Sequence, residues 1–197
     1  MFPVSRLRAP RIAWPSSQNV ARARRVLAAD GIIAYPTESC FGLGCNPRSP
    51  GAIRRLCLLK RRSRGKGLIL IAADVAQIAP FVEPGALQDL GRFKGFWPGP
   101  YTFLVPASRK VHPWLRGWHR QIAVRITRHP LAAGLCQALG TALVSTSANL
   151  SGKVSLKTAA DCRQSFGGRL FVVPGLTGFA RKPSTIIDAA SGKILRG

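Results

Sequence analysis

The sequence predicts an α/β fold in a single domain, and three observations carry that prediction. Short apolar runs such as GIIAYP, GLILIAA and TALVS alternate with segments whose apolar residues recur at helical spacing. Capping residues, Gly and Pro stand at the boundaries between them. The 197 residues, 46% of them hydrophobic, suffice for one sizeable core and are too few for two. Where connections are short, antiparallel strand pairs are expected beside the parallel ones.

Ser17 precedes NVARARRVLAAD, in which Val20, Ala23, Val26 and Leu27 share one helical face, and Asp30-Gly31 stops that helix. GIIAYP is a short strand closed by Pro36; it leaves Thr37, Glu38 and Ser39 at its C-terminal end, in a loop that runs to the glycines of CFGLGCNP. Ser49 caps and Pro50 opens the next helix, GAIRRLCLLKR, which runs out in a basic cluster. GLILIAA is a buried strand by its continuous apolar run. A helix over ALQDLGRF follows, and WPGP turns the chain into YTFLVPA. QIAVRIT alternates as a half-buried strand, HPLAAGLCQAL is a helix stopped by Gly140, and TALVS is a strand followed by a row of hydroxyls. TAADCRQSF is helical, and LFVVP and STIIDA are strands. Residues 1–15 form a short basic N-terminal extension, leaving 16–197 as the domain.

Charge sets this chain apart. Thirty Lys and Arg against 7 Asp and Glu give a formal +23, and no carboxylate occurs between Asp89 and Asp161. Such a surface attracts nucleotides, tRNA and other polyanions, although an Arg excess also serves plain solubility. The cysteines, 5 in number, show no CxxC spacing, and the histidines no HExxH pairing, which argues against a structural metal and for reduced thiols in a cytoplasmic protein. No apolar run reaches the roughly 20 residues of a membrane helix. The N-terminus lacks the apolar segment of a secretory signal.

Polar clusters follow the strands: Thr37 after GIIAYP, Ser145 to Asn149 after TALV, and Ser184 before TIIDA. In open α/β sheets, ligands gather in the crevice beyond strand ends, so these clusters are expected to converge. The run KRRSRGK, Lys60 to Lys66, sets several cations where a polyphosphate would sit, although composition alone favours a solvated charge run. No GxxxxGK[ST] is present, so phosphates would be held by side chains more than by a glycine nest. A serine nucleophile paired with His129 lacks both an acid and a GxSxG elbow. Arg125, inside QIAVRIT, points either to solvent or at an anion. Thr37, Ser145 and Ser184 also suit ordinary turns and caps.

Six blocks stand in order from about Gly31 onward: AYPTESCFGLGC, LKRRSRGKGLILIA, WPGPYTFLVPA, AVRITRHPLA, LVSTSANLSG and PSTIIDA. Together they resemble the YrdC-like family of threonylcarbamoyl-AMP synthases. The resemblance implies a twisted mixed parallel and antiparallel sheet, flanked by helices around a deep basic concavity. It also implies a nucleotidyltransferase that converts L-threonine, bicarbonate and ATP to L-threonylcarbamoyl-adenylate and pyrophosphate, the first step of N6-threonylcarbamoyladenosine formation in tRNA. The family's KxR and SxN signatures fall on Lys60-Arg61-Arg62 and Ser147-Ala148-Asn149. By that carry-over ATP is bound by Lys60, Arg62, Lys66, Ser147 and Asn149, with Ser155 and Arg196 as further contacts. Threonine is held by Thr37, Arg125, Ser145 and Ser184, Arg125 pairing with its carboxylate.

Mg²⁺ is expected to arrive with ATP, since carboxylates for a protein cage are few. The implied partners are the transferase complex that carries the adenylate to tRNA and, directly, tRNA or double-stranded RNA; no membrane is implied. Two positions depart from the family pattern: Ser63 where proline usually continues the basic block, and Ile71 where some relatives place a histidine near the threonine. No residue stands out as a general acid or base. The rival reading is a non-catalytic binder of double-stranded or ribosomal RNA that uses the same concavity, which the charge supports but the rows of neutral hydroxyls do not require. A carbamoyl-transfer domain of the hydrogenase-maturation type would need zinc-finger and acylphosphatase-like segments that this sequence lacks.

Overall fold

In the computed structural model, which describes residues 14–178 and 180–197, one mixed sheet forms the centre of the molecule. In chain order the elements are α1 (Ser17–Ala28), β1 (Ile33–Pro36), β2 (Phe41–Gly44), α2 (Pro50–Leu59), β3 (Ile69–Ala72), α3 (Val75–Ile78), α4 (Ala86–Leu90), β4 (Tyr101–Pro106), α5 (Pro113–Arg116), β5 (Gln121–Ile126), α6 (Pro130–Leu139), β6 (Leu143–Ser147), α7 (Ala159–Phe166), β7 (Phe171–Val172), β8 (Thr185–Asp188) and β9 (Ile194–Arg196). The strands lie in the order β7-β1-β2-β6-β3-β5-β4-β8-β9. The pairs β1/β7, β3/β5 and β4/β8 are parallel and the others antiparallel. The extension assigned to residues 1–15 lies mostly outside the described residues.

Alternation along the strands divides the core between the two faces of the sheet. Ile32 and Ala34 join a cluster with Ile53 and Leu56 of α2 and Phe166 of α7. Ile33 and Tyr35 join a second cluster with Leu27 of α1 and Leu131 and Leu135 of α6. Both faces of β1 are therefore covered, which explains its unbroken apolar run.

The helix starts follow local chemistry. Ser49 Oγ accepts the Ala52 N–H at 3.0 Å, and Thr158 Oγ1 accepts that of Asp161 at 3.1 Å. The first helix is capped by Ser16, whose Oγ accepts the Asn19 N–H. The expected helix over ALQDLGRF is broken: α4 ends at Leu90, and a 3₁₀ segment runs on from Gly91 to Phe96.

Two strand assignments are corrected. The glycine-rich FGLG, expected as loop, is β2, paired with β1 from Ile33↔Gly44 to Pro36↔Phe41. The glycines make room for a neighbouring ring: a Cβ on Gly44 would lie 2.6 Å from Tyr35 Cε1. The buried aromatic thus covers the strand that the glycines leave bare. Strand β6 runs on to Ser147, past the expected end of TALVS at Ser145, so Thr146 and Ser147 belong to the strand and do not follow it.

Candidate active site

Strand β6 lies between β3 and β2. Ser145 stands opposite Ile69, the first residue of β3, while Thr146 and Ser147 pair with Leu43 and Gly42 of β2. Beyond Ser145 the β3 side of β6 is open. There a cavity of about 200 Å³ forms, small beside the roughly 300–1,000 Å³ usual for a whole drug-sized ligand.

Eight of the eleven residues singled out in the sequence line this cavity: Thr37, Arg62, Arg125, Ser145, Ser147, Ser155, Ser184 and Arg196. They come from the end of β1, the loop after α2, β5, β6, the loop after β6, the start of β8 and β9, so the convergence is a product of topology. Cys40 is also in the wall. Gly42 opens the floor, since a Cβ there would sit 3.2 Å from Ser145 Oγ and 3.3 Å from Thr37 Cγ2.

The hydroxyls are held by their neighbours. Thr37 Oγ1 donates to Cys40 O at 2.7 Å, leaving its lone pairs to accept. Ser184 Oγ receives Thr102 Oγ1 at 2.9 Å and Arg196 Nη2 at 3.3 Å, so its own proton is free to donate. Arg196 also donates Nη2 to Ser184 O at 2.8 Å, tying β9 to the site. Burial, then Arg125, lowers the Arg196 pKa; burial comes first for Arg62 too, with Arg196 adding to it. The like charges of Arg62 and Arg196 in one hollow call for an anion.

Lys60, Lys66 and Asn149 do not line the cavity. Lys60 is 2% exposed. Its ammonium donates to Ser147 O, to Asn149 O at 2.7 Å and to Asn149 Oδ1 at 3.1 Å, while its own carbonyl accepts the Ser151 N–H at 3.0 Å. Asn149 Oδ1 also accepts Ser147 Oγ at 2.6 Å, and its amide donates to Lys153 O. These two residues therefore clasp the turn after β6 from behind. Lys66 is exposed. Ile71 packs in the second core cluster, away from the cavity wall.

Glu38 is the residue that sequence reasoning passed over. Arg125, 9% exposed, donates Nε to Gly99 O at 2.9 Å and brings Nη2 to 2.5 Å from Glu38 Oε1. The contact is a close ion pair and not an aligned hydrogen bond, for Nη2 has no hydrogen-bond partner. The same Oε1 accepts Thr127 Oγ1 and the Arg128 N–H, each at 2.9 Å. Burial pushes the Glu38 carboxyl up, but Arg125 and these donors outweigh it and hold it below the ordinary carboxylate value. The available signal was general: an Arg inside a strand needs a counter-charge, and carboxylates here are scarce.

Neither imidazole nor phenol offers a base here. His129 Nδ1 accepts the Ala132 N–H at the start of α6, and Nε2 lies 3.0 Å from Leu176 O, so both ring nitrogens are committed. Burial pushes the Tyr35 phenol up, and its hydroxyl donates to Val144 O at 3.2 Å. Among the described residues no three His, Cys, Asp or Glu side chains form a metal-binding group, and no helix is long and apolar enough to cross a membrane.

A profile of the Sua5/YciO/YrdC family, described as "Telomere recombination", matches residues 25–197. The threonylcarbamoyl-AMP synthase of Chromobacterium violaceum is 55% identical over 182 residues, 92% of this chain and 94% of that one. Among solved structures, P. abyssi Sua5 complexed with L-threonine is similar at 28% identity and a TM-score of 0.79; the match covers 89% of this chain but 52% of that longer one. E. coli YciO is similar at 25% identity and a TM-score of 0.77, covering 94% and 91% of the two chains. With the profile spanning most of its length and so close a relative over nearly all of it, the chain belongs to the Sua5/YciO/YrdC family.

Proposed function

We propose that this chain is a threonylcarbamoyl-AMP synthase. The observation that carries the reading is the convergence of Arg62, Arg125 and Arg196 with the hydroxyls of Thr37, Ser145, Ser147 and Ser184 on one cavity. Identity to a synthase over nearly the whole chain supports it. Arg125 receives the carboxylate of threonine, and Thr37 and Ser184 orient its amine and hydroxyl. Arg62 and Arg196 face the phosphates and stabilise charge as it develops at the α-phosphorus. Ser155 lies on the same wall. Lys60 and Asn149 act on ATP through the turn they hold, and Lys66 meets phosphates that extend beyond the cavity.

The free amine attacks bicarbonate, giving the carbamate and one water. A carbamate oxygen then attacks the α-phosphate in line, and pyrophosphate leaves. The chain supplies position and charge, and no side chain is assigned as general base. Mg²⁺ arriving with ATP would supply charge neutralisation at the phosphates, and the residues lining this cavity include no carboxylate to hold it.

The adenylate passes to a transferase complex that modifies tRNA, in the cytoplasm. Direct contact with tRNA is a separate proposal. It is favoured by Trp118, 85% exposed, which shares a hollow with Arg109, Arg116 and Arg120, a stacking surface among cations. Salt-dependent retention of tRNA by the wild type and by Trp118→Ala checks it. For the main reading, pyrophosphate release is expected only when threonine, bicarbonate and ATP are all supplied. Release at the full rate without threonine would overturn it.

A further inference from the structure

The three guanidinium groups of the cavity are not alike. Arg125 is ion-paired with Glu38. Arg62 donates to the carbonyls of Lys66 and Gly67, at 3.3 and 2.6 Å, and Arg196 donates to Ser184. Among the described residues neither of these two has a carboxylate partner. One end of the cavity is therefore compensated and the other carries two open positive charges.

Glu38 is not part of the cavity wall, so it meets a ligand only through Arg125. Its place is set by the backbone as well as by its side chain. Thr37 O accepts the Gly178 N–H at 2.9 Å and Glu38 O that of Ala180 at 3.0 Å. A Cβ on Gly178 would lie 2.7 Å from Glu38 O, so the two segments touch closely.

We infer that Glu38 is a specificity-determining residue: it divides the cavity into a neutral Arg125–Glu38 end that admits a zwitterionic amino acid and a cationic Arg62–Arg196 end that takes phosphates. The inference rests on the reaction proposed above. A guanidinium paired with a carboxylate still aims N–H donors at a ligand carboxylate, but the pair exerts little net field. A molecule of zero net charge loses little by this. A phosphate or pyrophosphate loses the attraction that would otherwise draw it to that end. Without Glu38, three cations would share one field, and free phosphate or the departing product would compete for the amino-acid position. Once the amine has become a carbamate it is itself anionic, and the remaining asymmetry draws it toward Arg62 and Arg196.

The test is threonine binding by the full chain, followed calorimetrically at constant ionic strength with inorganic phosphate exchanged for chloride. Glu38→Gln removes the charge and keeps an oxygen for Thr127 and the Arg128 N–H; Glu38→Asp keeps the charge. Thermal melting identifies the folded variants. In the wild type, millimolar phosphate is expected to leave threonine affinity unchanged. In Glu38→Gln it is expected to weaken apparent threonine affinity by about fivefold or more, as a competitor, and Glu38→Asp is expected to restore the wild-type response. Equal phosphate responses in the wild type and Glu38→Gln would overturn the inference and leave the proposed reaction standing. A wild type that binds no threonine would overturn both.

Discussion

Arg125→Ala is expected to raise the KM for threonine by about 100-fold, the equivalent of a lost charge-assisted hydrogen bond of up to about 3 kcal/mol, and to destabilise the fold. Arg125 sits in the interior strand β5 with 9% exposure, and its removal leaves Glu38 half-enclosed with no counter-ion. Breaking a buried pair from one side costs roughly 3–5 kcal/mol, and solvent reaching Glu38 through the cavity would place the value at the lower end.

The pH dependence separates this effect from a simple packing defect. In the wild type Glu38 has a lowered pKa, so its contribution to stability is present above the unfolded carboxyl value of about 4.3 and is lost as pH falls through the folded value. In Arg125→Ala the largest influence opposing burial is gone and only the Thr127 and Arg128 donors remain against it, so the Glu38 pKa lies higher than in the wild type and acid costs that variant's folded state less. The stability gap between the two proteins is therefore expected to narrow as pH falls from 7 through the carboxylate range, between the variant's folded value and the lower one of the wild type. Urea unfolding at pH 7 and pH 3.5 checks this; a gap independent of pH would contradict it.

Lys60→Met is expected to reduce turnover by about 100-fold through displacement of the turn after β6, a shift of the order that misaligns reacting groups. The ammonium of Lys60 is the shared donor to the carbonyls of Ser147 and Asn149 and to Asn149 Oδ1. Methionine fills the space but leaves these acceptors without their donor, about 1–3 kcal/mol for a buried group. Part of that is offset, because burial has pushed the Lys60 pKa down to about 8 and the buried charge is itself costly. Arginine does not rescue, since its planar fork cannot meet acceptors arranged around one nitrogen. Were Lys60 to touch ATP directly, Lys60→Met would raise the KM for ATP without moving the melting temperature; the expected pattern is a lower melting temperature with kcat as the chief loss.

Much of this architecture is legible in the sequence because local chemistry decides it. The cap at Ser49, the stop at Gly140 and the buried run of β3 follow from residue type and period. Strand β2 is not legible in that way. Its glycines read as loop until the Tyr35 ring is seen to occupy the space their missing side chains leave. The break after Leu90 reflects a 3₁₀ turn that periodicity alone does not distinguish from helix.

The candidate site divides along the same line. The hydroxyl row from Ser145 to Ser147 announces itself as polar groups at a strand end, Arg62 as part of a basic run and Arg125 as a charge inside an apolar strand, and the sheet order brings them together. The role of Lys60 depends on a contact with residues 87 and 89 positions away. That of Glu38 depends on one 87 positions away in Arg125. Neither long-range pairing has a local signature, so a basic run read as a phosphate loop conceals one member that is a structural clasp.

A crystal structure with threonine and a non-hydrolysable ATP analogue tests the central claim most directly. The account predicts the threonine carboxylate on Arg125 and the phosphates on Arg62 and Arg196, in the one cavity beside β6. Threonine bound outside that cavity, or phosphate on Arg125 with threonine at Arg62, would contradict it.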